Sequence, residues 1–162
     1  MVHREHEHKF YRQTNRRRFV DGGLNERVMN LLFGWLWILL GFITGMVLGM
    51  FFHGEGWLGG YGSFKRRMYR LGHISFFGVG VVNVLFSMTM NGVVTSSPLI
   101  SAASAAFIIG GITMPICCVV MAHFPKAHMI FAIPVISLIF AAGVTVVLIA
   151  SDMQPPYFQY PK

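Results

Sequence analysis

Residues 99–122 read LISAASAAFIIGGITMPICCVVMA and contain no charged side chain. At a rise of 1.5 Å per residue, a helix of ~20 apolar residues spans the ~30 Å hydrocarbon core of a bilayer. Three other stretches have the same character, at residues 30–52, 72–90 and 129–150. The ~10-residue alternation typical of a membrane β-strand is absent, and backbone polar groups in lipid must be paired within the protein. The sequence therefore predicts an all-α protein, an integral membrane bundle of four transmembrane helices.

The composition and the flanking segments divide the chain into three parts. The chain has 162 residues and is 54% hydrophobic, which fits one membrane domain over residues 30–150 and excludes an ordinary soluble enzyme. Residues 1–29 form a polar, basic N-terminal arm, which we expect to be broken at Gly22 and Gly23. Residues 151–162 form a tail rich in proline and aromatic residues, which we expect to be extended. Both ends are predicted to contact other subunits of a membrane complex.

The distribution of charge indicates lipid contacts and an orientation in the membrane. The formal net charge is +7, and the basic residues cluster before the first two spans. Such clusters fit anionic lipid head groups, so we expect no nucleic-acid partner. Eight Lys and Arg residues lie on the side of the N terminus and five on the other side, which favours cytoplasmic N and C termini. We expect the protein in the inner or plasma membrane of a bacterium.

Small residues recur at four-residue steps in two spans. Gly41, Gly45 and Gly49 follow one another in the first span, and Ala102, Ala106 and Gly110 do so in the third. This spacing lets the backbone of a neighbouring helix approach closely. The glycine and alanine faces therefore predict helix-packing seams, within the chain or with other subunits.

The histidines near the spans all fall on one side of the membrane. His53 ends the first span, His73 begins the second, His123 ends the third and His128 begins the fourth. In a four-pass chain the first and third loops share one side, so these four imidazoles are candidate metal ligands. Histidines also occur at membrane interfaces simply because the imidazole is amphipathic, and this reading stays open.

The start of the second span has a layout that suits a haem. Arg66, Arg70 and His73 lie at i, i+4 and i+7, on one face of a helix. The imidazole would bind the iron and the arginines would pair with the propionates. His128 is the expected second ligand, which gives a haem b between helices 2 and 4. The four-pass layout resembles that of small membrane cytochrome b subunits at the level of the fold alone.

Other guests fit the same residues. Copper would be favoured by the nearby Cys117 and Cys118, since soft sulfur ligands select it. Further alternatives are a quinone head between His73 and Arg70, a chlorophyll-type pigment on one imidazole, and no cofactor at all.

The polar residues exclude several function classes. No Asp, Glu, Lys or Arg lies deep in a predicted span, which disfavours ion-coupled transport. No nucleophile–base pair or carboxylate pair is evident, so we predict no catalytic residue and no catalysis by this chain alone. The sequence favours a small subunit of a larger respiratory or other electron-transfer complex. A cofactor-free structural subunit and a copper- or metal-handling protein are the alternatives.

Overall fold

The chain folds into four long helices and two short 3-10 segments. In the computed structural model the backbone is described for residues 2–93 and 97–152, and the side chains for residues 25–93 and 97–152. The helices are α1 (Val2–Phe51), α2 (Phe64–Gly92), α3 (Pro98–His123) and α4 (Ala132–Asp152). The 3-10 segments are Trp57–Gly59 and Pro125–Phe131. Within these residues, four stretches are helical, long and apolar enough to cross a membrane. The predicted all-α membrane bundle of four helices is confirmed.

Two helices begin earlier than the apolar pattern indicates. The first turns of α2 are charged but helical, so α2 starts at Phe64 and not at residue 72. The Ser63 hydroxyl caps this start by accepting a hydrogen bond of 3.2 Å from the Arg66 amide. Helix α1 runs without interruption from Val2, so the expected break at Gly22 and Gly23 does not occur. The predicted tail over residues 151–162 lies outside the described residues beyond Asp152.

The helices pack in chain order. Helix α1 packs against α2, α2 against α3, and α4 chiefly against α3, while α1 and α3 touch over a smaller area. The outward faces of α1 and α4 expose large apolar side chains, including Leu32, Met46, Ile136, Ile139 and Val146. In an integral membrane protein this is the surface that faces lipid.

The closest approach of α1 and α2 is backbone to backbone. A Cβ atom on Gly34 would lie 2.7 Å from the Gly80 carbonyl oxygen, and one on Gly80 would lie 2.9 Å from the Gly34 carbonyl oxygen. Farther along α1, Gly41 faces the Phe77 ring, whereas nothing lies within 4 Å of a Cβ on Gly49. The predicted glycine seam on α1 therefore serves contacts inside the chain, and its last glycine is left open.

The small residues of α3 make a second seam, against α4. A Cβ on Gly110 would lie 2.6 Å from Leu138 Cγ. One turn earlier, the Ser137 hydroxyl donates a hydrogen bond of 2.7 Å to the Ala106 carbonyl oxygen. This seam joins two helices of the same chain, as the contact between Gly34 and Gly80 does.

A buried polar cluster joins the first three helices. Asn30 of α1 donates a hydrogen bond of 2.9 Å to the Asn83 side-chain oxygen of α2, and its own side-chain oxygen accepts one from Ser104 of α3. The Asn83 amide also donates to the Val79 carbonyl oxygen at 2.9 Å. Such interhelical hydrogen bonds contribute about 0.6 kcal/mol each, and up to about 2 kcal/mol. They fix the relative rotation of helices whose surfaces are otherwise apolar.

We predict that Gly34→Ala destabilises the protein, because the added methyl group must push the backbones of α1 and α2 apart. Overpacking of this kind costs about 1–3 kcal/mol. Gly49→Ala is the matched control, since its Cβ meets nothing within 4 Å. Thermal unfolding in detergent should show a lower midpoint for Gly34→Ala only. Equal midpoints for the two variants would contradict the backbone contact.

Candidate functional site

A groove of about 720 Å³ lies near the end of the bundle where α1 ends and α2 begins. Helix α2 forms the floor of this groove, and helices α1 and α3 form its two walls. The floor residues are Tyr69, Gly72, His73 and Phe76. The α1 wall consists of Trp37, Thr44, Val47, Leu48 and Phe51, and the α3 wall of Ile112, Pro115, Ile116, Val119 and Val120. Trp57 of the first loop completes the lining. The volume lies within the ~300–1,000 Å³ of typical ligand sites.

The groove opens sideways between α1 and α3. Four of its aliphatic wall residues are exposed, and they come from both sides of the gap: Val47, Ile112, Ile116 and Val119. Helix α4 packs on α3 and contributes no residue to the lining. These exposed residues are apolar and belong to helices that fit the bilayer, so this side of the groove faces lipid.

A proline in α3 positions one wall of the groove. Pro115 has no amide hydrogen, so the carbonyl of Gly111, four residues earlier, loses its helical donor. The Trp37 indole N–H of α1 donates to this carbonyl at 2.9 Å. The Trp37 ring also stacks on Phe33, with centroids 4.1 Å apart. This hydrogen bond joins α1 to α3 at the inner end of the groove.

One hydrogen bond joins the His73 ring of α2 to α1. His73 Nδ1 lies 3.1 Å from the Thr44 hydroxyl oxygen. The same hydroxyl lies 2.8 Å from the Leu40 carbonyl oxygen and 3.1 Å from the Gly41 carbonyl oxygen. Among the residues that the structure describes, His73 Nε2 has no hydrogen-bond partner.

The His73 ring is held on two further sides. Its edge faces Gly45, where a Cβ would lie 2.7 Å from Cε1, so a larger residue would displace the imidazole. The Phe77 ring stands perpendicular to it, with centroids 5.4 Å apart. The predicted seam at Gly45 thus makes room for an imidazole.

A second polar pair connects the groove with the surface of the protein. The Tyr69 hydroxyl lies 3.1 Å from His123 Nε2. Tyr69 lines the groove, while His123 ends α3 and is exposed. Tyr69 and His73 are one helical turn apart on the floor, so their side chains are neighbours on the same face.

Arg66 holds the first loop in place. The Arg66 side chain is fully buried, with its guanidinium carbon 3.7 Å from the Tyr61 ring centroid, 4.4 Å from that of Phe52 and 5.6 Å from that of Trp57. Nη2 donates to the Phe52 carbonyl oxygen at 3.0 Å, and Nε and Nη1 have no partner among the described residues. A cation enclosed by three aromatic rings stabilises the loop that carries them.

The loop forms the outer end of the groove. The Trp57 ring stacks on Phe51 with centroids 5.8 Å apart and an angle of 11° between planes. The turn that follows uses left-handed backbone at Leu58 (φ 52°), Gly59 (φ 85°) and Gly60 (φ 89°). Glycine adopts this conformation without strain, whereas leucine does so rarely. The loop is therefore a defined structure closing one end of the groove.

The structure separates most of the predicted site residues. Among the described residues that line the groove, His73 is the one imidazole. His53 is exposed in the first loop, and His128 is exposed in the 3-10 segment before α4. Arg70 is exposed, in contrast to Arg66. No group of three or more His, Cys, Asp or Glu side chains close enough to hold a metal ion occurs in the part of the chain that the structure describes.

The positions of these residues bear on each predicted cofactor and metal. The structure does not bring His128 into the groove with His73, and the predicted haem between helices 2 and 4 stays a prediction. The same holds for metal binding by the four histidines. Cys117 and Cys118 are buried, and the Cys117 thiol donates to the Ile130 carbonyl oxygen at 3.5 Å.

Of the residues that line the groove, only His73 is predicted from the sequence as a site residue; the polar and indole side chains of Thr44, Tyr69, Trp37 and Trp57 are not. Tyr69 precedes His73 by four residues, a spacing that signals a shared helix face. Pro115 signals an unpaired carbonyl at Gly111, but not which side chain reaches it. The Thr44 contact leaves no signal in the sequence.

Comparisons with protein-family models, with curated proteins and with solved structures find no match for this chain. The functional proposal below therefore rests on the residues of the groove and on the bundle that carries it.

We predict that Arg66→Met loosens the first loop, because the cation that its aromatic rings enclose is lost. Cleavage after Glu55 by a glutamyl endopeptidase should become several-fold faster, since each cation–π contact is worth about 0.5–2 kcal/mol. Arg67→Met, at the neighbouring exposed arginine, is the control. Equal cleavage rates in the two variants would show that Arg66 does not hold the loop.

Proposed function

We propose that the protein is a small integral membrane subunit of a larger electron-transfer complex, and that His73 contacts a redox molecule held in the groove. One observation carries the proposal. The His73 imidazole, hydrogen-bonded to Thr44 through Nδ1, lies on the floor of an apolar groove of about 720 Å³.

The chemistry of the lining favours a bound redox molecule over substrate hydrolysis. A hydrogen bond to one ring nitrogen, which orients the imidazole, is the usual arrangement of a ligating histidine. The described residues of the lining include no carboxylate, thiol or lysine to serve as an acid–base partner. Aromatic rings at both ends, such as Trp37 and Trp57, suit a flat conjugated molecule.

The surroundings of the groove support a role within a larger complex. The chain is small, and its groove is open on one side. The basic residues Lys65, Arg67 and Arg70 are exposed at the start of α2, near the same end of the bundle. They offer contacts to anionic lipids or to acidic surfaces of neighbouring subunits.

A cofactor-free structural subunit is the second candidate, and one observation favours it. His73 already bonds Thr44 and packs against Gly45 and Phe77. These contacts are those of a histidine that serves only to join α1 and α2. Under this alternative, loss of His73 changes stability and no bound molecule.

We predict that the detergent-purified complex carries a redox molecule that depends on His73. Visible spectra of the oxidised and dithionite-reduced protein, with a pyridine haemochrome assay, detect haem; solvent extraction followed by chromatography detects quinones. In His73→Ala the amount of the bound molecule should fall at least several-fold, because the molecule loses its one contact with an imidazole. His53→Ala, at an exposed loop histidine, should leave it unchanged. If neither molecule is present, or if both variants retain it equally, the electron-transfer proposal fails and the structural alternative stands.

A further inference from the structure

We infer that Arg66 is a switchable anion site. In the structure it holds the first loop, residues 52–63, closed over the outer end of the groove, and the head group of an anionic phospholipid releases the loop by pairing with Arg66. The inference goes beyond the proposed function, since it holds whichever molecule the groove binds.

The closed loop leaves the Arg66 cation incompletely paired. Its side chain is fully buried, and only Nη2 donates a hydrogen bond, to the Phe52 carbonyl oxygen at 3.0 Å. Nε and Nη1 have no partner among the described residues. The enclosing aromatic rings attract the positive charge, but they are weaker acceptors than an oxygen anion. A buried cation with unpaired N–H groups raises the free energy of the closed state, and a phosphate oxygen would pair them.

The backbone of the closed loop carries a second cost. Leu58 has φ 52° and ψ 28°, a left-handed conformation that is unfavourable for a residue with a Cβ atom. The Ser63 hydroxyl holds it there by donating a hydrogen bond of 2.6 Å to the Leu58 carbonyl oxygen. The closed loop is thus maintained by side-chain contacts against local strain, and its stability depends on the contacts with Arg66.

Glycines bound the segment that moves. Gly56 and Gly62 lie on either side of Trp57 and Tyr61, which supply two of the three rings around Arg66. A Cβ atom on either glycine would meet nothing within 4 Å, so neither position is packed against the bundle. Because glycine has wide backbone freedom, rotation at these two positions moves both rings off the cation and leaves the helices in place.

Trp57 connects the cation with the groove. Its ring centroid lies 5.6 Å from the guanidinium carbon of Arg66, and the same side chain lines the groove and stacks on Phe51. When the loop leaves Arg66, Trp57 leaves the groove with it. Pairing of Arg66 with an anion therefore opens the outer end of the groove to the head-group region.

The charge around the loop selects an anionic lipid. Lys65, Arg67 and Arg70 are exposed within one helical turn of Arg66, and Glu55 is the one acidic side chain that the structure describes on this side of the bundle. Helix α2 begins here and is apolar enough to cross the membrane, so these cations lie at the depth of lipid head groups. A phosphate presents several oxygen acceptors to the N–H groups of an arginine.

The test measures how fast a glutamyl endopeptidase cleaves after Glu55 in the full-length protein reconstituted in lipid nanodiscs. Discs of phosphatidylcholine alone are compared with discs in which phosphatidylglycerol replaces part of it. We expect several-fold faster cleavage with phosphatidylglycerol, because the open loop is the better substrate. Arg66→Met should be cleaved equally fast in both lipids. Lys126→Met, which removes one exposed positive charge elsewhere on the same side, should keep the wild-type difference.

A second variant keeps the test decisive if Arg66→Met does not fold. Tyr61→Leu removes the ring nearest to the guanidinium, at 3.7 Å, and keeps the cation. Its cleavage in phosphatidylcholine alone should be faster than that of the wild type, and phosphatidylglycerol should increase the rate further.

The outcomes separate the parts of the inference. Equal cleavage of the wild-type protein in the two lipids, or a lipid effect that Arg66→Met retains, overturns the anion site. If inorganic phosphate accelerates cleavage in phosphatidylcholine discs as much as phosphatidylglycerol does, the lipid is not the source of the anion. None of these results bears on the proposed function, whose test is the redox molecule that depends on His73.

Discussion

The contact of Gly34 with Gly80 is the constraint on which the rest of the bundle depends. Two helices whose backbones touch lie closer than helices separated by side chains, and no larger residue fits at either position. This spacing lets a hydroxyl on α1 reach an imidazole on α2, so that Thr44 bonds His73. The seam that predicts helix packing therefore also creates the polar contact at the candidate site.

A second constraint comes from the low polarity of the membrane, where every backbone carbonyl needs a donor. Pro115 removes the donor of Gly111, and the indole of Trp37 replaces it. The exchange joins α1 to α3 at one level, while Asn30, Asn83 and Ser104 join α1, α2 and α3 farther along. Between the indole and the loop, α1 and α3 are not bridged, and the gap between them is the groove.

The predictable part of the structure follows from the length of the apolar runs. The apolar runs predict four helices, but they do not predict where α2 starts, because the charged residues before His73 are helical as well. His73 itself is identifiable from its position near a span. Its neighbours are not, because helices that are apolar on all sides carry no pattern that reveals their rotation. His128 shares a side of the membrane with His73, yet it lies on the segment beyond α3, away from the groove.

His73 gives the groove its chemistry. Its Nδ1 is hydrogen-bonded to Thr44, and among the described residues its Nε2 has no hydrogen-bond partner. The side chain is half-buried and belongs to a largely apolar lining. In surroundings of low polarity a hydrogen bond to the imidazole contributes more free energy than it would in water. Binding is therefore most favourable for a molecule that combines a polar group, which pairs with the imidazole, and an apolar body.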